Sequence, residues 1–337
     1  MRVLLIKTSS LGDIIHTFPA ITDAVRHNPA LTFDWVAEES FSEIPFLHPA
    51  IRQVFPIAFR RWRKNLWRPG TWKEIQKALH HLHLEDYDLV IDAQGLLKSS
   101  ILSLFTKGQR YGYAWHGARE PLASLFYHHK FEIAWGLPAI KRTRMLFAKT
   151  FGYPVPETPP AANLTRNTKN NENSILFLPG TSWINKKWPT AYWIELAQLI
   201  KQLNMNITIP WSTEKEQQEA LQIQTAGPHV QVLDKMPLDQ LAVIIQKHCL
   251  TISGDSGIGY LSAAFQIPTL ILWGPTTPKM VGQFSPFQHD LNSTVECAPC
   301  LKRYCKNKHL SPIQPPCFAE ITPGKVFEYI KLHLNLT

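Results

Sequence analysis

Two loops in this chain pair small residues with charge in a way that could do chemistry. The first is 7–13, KTSSLGD, which follows the apolar run 3–6. Gly12 lets the backbone turn tightly, and Asp13 stands where a helix should begin. A carboxylate there can simply cap the helix. It can also take a proton at the rim of a site. A cap needs only Asp13 and leaves Lys7 without a reason to be there. The second loop is 179–189, PGTSWINKKWP. Gly180, Thr181 and Ser182 offer small donors, and Lys186 and Lys187 offer charge, as a phosphate site requires. The spacing is not that of a Walker A loop: no glycine precedes the lysine and no Ser or Thr follows it.

A third stretch, GDSGIGYLSAA at 254–264, opens a helix after an apolar strand. Asp255, Ser256 and Gly257 lie at its mouth, where free N–H groups favour an anion such as a diphosphate. An ordinary N-cap would look the same. FRRWRKNLWR, 59–68, carries Arg60, Arg61, Arg63, Lys64 and Arg68 with Trp62 and Trp67. Such a segment suits a phosphate-rich or interfacial ligand, nucleic acid, or plain solvent. Cys297, Cys300, Cys305 and Cys317 form a cluster whose first pair is Cys-x-x-Cys, compatible with structural zinc or with reduced thiols. Cys249 begins an apolar stretch and reads as a core thiol. No histidine shows HExxH-like spacing, and GDSGIG lacks the order of a serine nucleophile elbow.

The elements that must position these loops alternate as strand, loop, helix. Strands are expected near 2–7, 33–38, 52–57, 88–93 and 110–115, with helices near 13–27, 71–84, 96–106 and 138–151. Residues 154–173 are rich in Pro and Asn without apolar period and read as a linker. The alternation then restarts: strand 175–178, helix 191–203, strand 206–210, helix 215–224, strand 230–233, helix 238–248, strand 250–255, helix 258–265 and strand 269–273. Thr322 and Pro323 start a last helix. The expected fold is α/β: two Rossmann-like, doubly wound parallel-sheet domains, 1–153 and 174–321, with a cleft between them and a C-terminal helix in 322–337.

The bulk numbers agree with that size. A chain of 337 residues favours two domains, and 45% apolar residues can build both cores. The charged fraction of 18% is too low for a disordered chain. Lys and Arg exceed Asp and Glu, 35 to 26, for a net charge of +9. The balance points to an anionic partner without choosing among nucleic acid, acidic membrane and phosphorylated ligands. No apolar run approaches the length of a signal h-region or a membrane span, so a cytoplasmic protein is expected.

Together these motifs resemble the ADP-heptose:lipopolysaccharide heptosyltransferases of glycosyltransferase family 9, closest to the heptosyltransferase I branch. The stretches that carry the likeness are MRVLLIKTSSLGDIIHTFPA, FDWVAEE, RRWRK, DYDLVIDAQGLLKS, AREPLASLFY, KKWP, GDSG and LWGPT, spanning residues 1 to about 276. The resemblance implies a GT-B fold, with acceptor on the first domain and sugar nucleotide on the second. It implies inverting, metal-independent transfer of L-glycero-D-manno-heptose from ADP-heptose to a Kdo residue of Kdo-lipid A. No cofactor is required on this reading; ADP-heptose is a substrate, the cytoplasmic face of the inner membrane is a peripheral partner, and nucleic acid is not one.

By the same resemblance Asp13 is the general base, and Lys186 assists departure of the diphosphate. Thr181, Ser182, Lys186, Glu216, Met236, Asp255, Ser256, Gly257 and Tyr260 face the donor. Glu216 would hold the ribose, and Met236 would lie by the adenine. Lys7, Ser10, Arg60, Arg61, Arg63, Lys64 and Arg119 face the acceptor. Two departures stand out. Tyr260 occupies a position where the family commonly has histidine, and the cysteine-rich tail is closer to the heptosyltransferase II branch. The alternatives are therefore a heptosyltransferase II, a transferase using another ADP-sugar, or a non-catalytic basic protein that binds anionic lipid or nucleic acid.

Overall fold

The apolar runs of the chain become two parallel sheets, each flanked by helices. The computed structural model describes residues 1–164, 171–282 and 284–334. Two compact units divide it, Met1–Thr165 and Arg166–Thr337. Of the expected linker, 165–170 lie outside the described residues, as do 335–337 of the expected C-terminal segment and Gln283 within the second domain.

The first unit contains β1 (Arg2–Ile6), α1 (Leu11–Ile15), α2 (Phe18–His27), β2 (Thr32–Glu38), β3 (Ile51–Ile57), α3 (Phe59–Trp62) and α4 (Pro69–Leu84). It continues with β4 (Leu89–Asp92), α5 (Leu97–Ser103), β5 (Gln109–Tyr113), β6 (His129–Phe131) and α6 (Ala139–Phe151). Its strands lie in the order β3-β2-β1-β4-β5-β6, all parallel. Val3, Leu4, Leu5 and Ile6 are fully buried, as a central parallel strand covered on both faces requires.

The second unit contains β7 (Asn171–Leu178), α7 (Thr190–Lys201), β8 (Asn206–Ile209), α8 (Glu214–Gln224), β9 (Val230–Val232) and α9 (Leu238–Ile245). Then come β10 (His248–Gly254), α10 (Gly257–Ala264), β11 (Thr269–Trp273), α11 (Pro278–Val281), β12 (Gln288–Asn292) and α12 (Pro323–His333). The sheet order is β12-β11-β10-β7-β8-β9, again parallel throughout. From its first strand outward this repeats the 3-2-1-4-5-6 order of the first sheet, the doubly wound arrangement with a switch point beside the first strand. Phe177, Trp188 and Trp193 pack in its core, with the two indoles edge to face at 5.0 Å.

Three expectations need correction. The helix expected over 13–27 is two helices, α1 and α2, separated at His16 and Thr17. Pro19 is the cause: it has no N–H to give Ile15, and its ring clashes with that carbonyl in a continuous helix. The helix expected over 238–248 stops at Ile245, and His248 already begins β10. Strands β6 and β12 had no counterpart among the expected elements. Both are sheet edges with polar sequences, HKF and QHDLN, so no apolar run marks them.

Candidate active site

In the first sheet the switch point lies between β1 and β4, and the chain leaving each strand there carries the suspected chemistry. After β1, Gln94 Oε1 accepts from the Thr8 and Ser9 amides at 3.0 and 3.2 Å and so fixes the loop. Ser10 then donates to Asp13 Oδ2 through both its amide and its hydroxyl, each at 2.8 Å. Burial alone would raise the Asp13 carboxyl. The Lys7 ammonium, the Ser10 donors and His16 outweigh it and hold the group below its ordinary range. Lys7 Nζ donates to the Ala93 carbonyl at 3.0 Å. Its pKa is pulled down chiefly by burial, against the opposing pull of Asp13 and Asp92, with Arg142 and Arg119 lowering it further.

After β4, Asp92 is buried and accepts from Tyr127 at 2.7 Å, Ser99 at 2.8 Å, and the Gln94 and Gly95 amides. Burial raises its pKa against these donors. Asp92, Gln94 and Arg142 did not stand out as site residues in the sequence. The signal for the first two was DAQG at the end of an apolar strand; Arg142 sits on a helix whose pattern reveals only packing.

The cations of 59–68 divide. Arg61 is committed to Glu39 and Glu74 at 3.0 and 2.7 Å. Arg60 lies over the Phe41 ring at 5.1 Å, and Arg63 and Lys64 are exposed. Lys98 belongs with them: burial first, then Arg60 and Arg63, lower its pKa. Arg119 is exposed and its charge is felt at Lys7.

In the second sheet the switch point lies between β7 and β10, where the other two motifs converge. Lys186 Nζ meets Asp255 Oδ2 at 2.6 Å, both side chains largely buried, and lies over the Trp183 ring at 4.6 Å. Gly254 permits the approach: a Cβ there would stand 3.0 Å from Thr181 and 3.1 Å from the Lys186 carbonyl. A Cβ on Gly180 would stand 2.9 Å from Glu216 Oε1. Thus 180–186, Glu216 and 254–257 share one neighbourhood. Thr181 donates to the Trp183 carbonyl at 2.8 Å, and Ser182 is exposed. Ser256 caps α10 by accepting from Gly259 N, with Gly257 as the first helical residue.

Glu216 also serves its own helix. Its Oε2 accepts from the Ser212 amide and hydroxyl and the Thr213 amide, a capping box. These donors and Lys187 lower its pKa although burial opposes them. Lys187 turns to Glu219 at 2.6 Å and not to this site. Met236 is half-buried in the connection between β9 and α9. Tyr260 is buried, and its hydroxyl donates to Asp255 Oδ1 at 2.7 Å while Thr276 donates to Oδ2 at 2.8 Å. The Tyr260 phenol therefore orients the carboxylate that pairs with Lys186.

The four clustered cysteines line one cavity of about 30 Å³. Burial, then the neighbouring thiols, push Cys317 up to about 12, so it stays protonated. Although the four share that cavity, no group of three or more His, Cys, Asp or Glu side chains among the described residues is arranged to hold a metal ion, so the structural-zinc alternative finds no ligand set here. No helix among the described residues is long and apolar enough to cross a membrane.

Comparison with known proteins now bears on these two switch points. Residues 75–311 match the family model of glycosyltransferase family 9 (heptosyltransferase). The chain is 43% identical to lipopolysaccharide heptosyltransferase 1 of Pseudomonas aeruginosa, over 97% of this chain and 96% of that protein. It is 40% identical to the protein of the same name from Escherichia coli K12, over 86% and 92%. The structure of E. coli heptosyltransferase WaaC with ADP superposes with a TM-score of 0.87 at 35% identity, covering 99% of this chain and all of that one. The fold class is that of the GT-B heptosyltransferases.

Proposed function

This chain belongs to glycosyltransferase family 9, the heptosyltransferases, and on that premise we propose that it transfers L-glycero-D-manno-heptose from ADP-heptose to a Kdo residue of Kdo-lipid A. One observation carries the reading: each sheet presents its charged groups at the switch point, a carboxylate kept ionised in the first and a lysine at a helix mouth in the second. The solved E. coli relative carries ADP in one structure and ADP-2-deoxy-2-fluoro heptose in another, which supports an ADP-sugar here.

Glycosyl transfer builds positive charge at the anomeric carbon and negative charge on the departing diphosphate. In this reading Asp13 accepts the proton of the attacking Kdo hydroxyl, a role worth about 10²–10⁴-fold in rate. Direct attack opposite the leaving group inverts the anomeric centre. Lys186 and the free N–H groups at the start of α10 receive the ADP, already in place before the bond breaks. They supply the cationic charge themselves, so the step is written without a metal. Asp255 holds Lys186, with Tyr260 and Thr276 orienting it. Glu216 Oε1 takes a ribose hydroxyl and Met236 packs by the adenine. Lys7 keeps Asp13 ionised, and Arg60, Arg63, Lys64 and Arg119 face the acidic acceptor from the cytoplasmic side of the inner membrane.

Incubation with ADP-heptose and Kdo-lipid A, followed by mass spectrometry, tests this. One heptose should be added, and an acceptor already bearing that heptose should gain none. Addition only to the heptosylated acceptor would assign the chain to the second transfer step instead.

A further inference from the structure

The connection between β12 and α12 carries the cysteine cluster, and the transfer chemistry has so far given it no task. From 297 to 319 it holds no Asp or Glu, but it holds Lys302, Arg303, Lys306 and Lys308. Its far end is fixed from beneath: Cys317 is buried, and a Cβ on Gly274 would stand 2.9 Å from its Sγ. Two further bonds fix it beside the Lys186–Asp255 pair. The Leu301 amide donates to the Pro275 carbonyl at 2.9 Å, next to Thr276, which itself donates to Asp255. Asn185, buried and adjoining Lys186, donates from Nδ2 to the Lys302 carbonyl at 3.1 Å. Arg303 follows directly. Its guanidinium lies over the Trp183 ring at 5.4 Å, and the same ring carries Lys186 Nζ at 4.6 Å.

Two cations thus share one indole, and only one of them has a carboxylate. Lys186 has Asp255 at 2.6 Å. Arg303 is exposed, and among the described residues it is in no ion pair. Like charges drawn to one ring repel each other, and an anion within reach of both relieves the repulsion. Lys186 shares its charge with Asp255, so a departing diphosphate still needs a cation that no carboxylate has already taken. A guanidinium presents a planar fork that matches phosphate oxygens, and stacking on an aromatic face pre-orients it. We infer that Arg303 is a further donor-binding residue, which grips the diphosphate of the ADP-sugar beside Lys186 with Trp183 as the platform for both. The connection that carries the cysteines is then a donor-side element, and its bonds to Pro275 and Asn185 set where the guanidinium stands. The inference rests on the reading above in that it takes the donor to be an ADP-sugar.

Calorimetry of the full chain with ADP, together with initial rates on ADP-heptose, tests it. Arg303→Ala should weaken ADP binding about tenfold or more, the scale of a lost charge-assisted contact. The KM for ADP-heptose should rise to match, with the acceptor KM little changed. Arg303→Lys keeps the charge and should recover part of the loss. Arg303→Gln keeps polarity without charge and should recover little, whereas a merely structural role would be restored by either. Lys306→Ala removes the same charge from the same connection and should leave ADP affinity within about twofold of wild type. Arg303→Ala that binds ADP like wild type, or Arg303→Gln that recovers as much as Arg303→Lys, would overturn the inference. So would an equal loss in Lys306→Ala, because the effect would then belong to the net charge of the connection. ADP binding that weakens as expected in a protein that transfers no heptose leaves the Arg303 contact standing and removes the transferase reading. An active transferase whose KM for ADP-heptose ignores Arg303→Ala does the reverse. Wild type that binds no ADP would remove both.

Discussion

Lys7 and Asp13 define each other. The lysine is half-buried and weakly basic for its kind, while the aspartate is held ionised by it and by Ser10. Because the Asp13 pKa lies below its ordinary value, transfer should survive acidification until the pH falls through that lowered value. Lys7→Met removes the chief cause of the lowering, and burial, which pulls the other way, remains. The acid limb of the pH–rate profile should then move to higher pH; an unmoved limb would separate the two residues. On the donor side, Lys186→Ala should raise the KM for ADP-heptose about tenfold or more, the scale of a lost charge-assisted contact, with the acceptor KM little changed. Initial rates with each substrate varied in turn will show it. These residues were legible because chemistry placed charge where a strand ends. Asp92 and Gln94 were less so, and so was the part Tyr260 plays as a donor to Asp255. Their work is to hold other residues still, and a side chain that acts only on a neighbour leaves no pattern in one sequence.

At the scale of elements, α2 shows what packing demands. Asp23 on this helix pairs with Arg144 of α6, Nε to Oδ2 at 2.6 Å, with both side chains more than nine-tenths buried. Asp23→Ala leaves a guanidinium buried and unpaired, so chemical denaturation should report a loss of about 3–5 kcal/mol. Thr22, one residue earlier, meets His48 Nε2 at 3.1 Å, and His48 Nδ1 accepts from the Ala50 amide at 3.2 Å. The imidazole is thus neutral with its proton on Nε2, and burial lowers its pKa from 6.5 to about 4. Above 6.5 neither folded nor unfolded His48 is charged and the full stability is present. As pH falls from there toward 4 the unfolded chain takes the proton first, and stability drops by about 3 kcal/mol. Urea unfolding across that range should show the drop in wild type and a smaller one in His48→Gln. Neither buried pair could be anticipated, since 121 residues separate Asp23 from Arg144. The central strands were legible as unbroken apolar runs. The edges β6 and β12 were not, because one exposed side removes the apolar requirement. The end of α9 was hidden because Gln246, Lys247 and His248 hold no Gly or Pro to mark a stop.

Over the whole molecule, the repeated strand order matters more than any single motif. Both sheets order their strands identically from the first outward, and both place their charged loops at the same topological position. The alternation of strand and helix on either side of the Pro- and Asn-rich stretch was enough to expect two such sheets. Nothing in one sequence could fix the strand order, because parallel strands pair across connections far longer than any local pattern. The likeness to known heptosyltransferases and the two switch points lead to one claim, that Asp13 takes a proton while the second unit holds the nucleotide. Asp13→Asn, which keeps the size of the side chain, isolates it. Calorimetry with ADP and mass spectrometry of Kdo-lipid A after incubation with ADP-heptose should be run on the same preparation of that variant. The account predicts ADP affinity within about twofold of wild type and heptose transfer reduced by about 10²–10⁴-fold. Near-normal transfer with impaired ADP binding would contradict it.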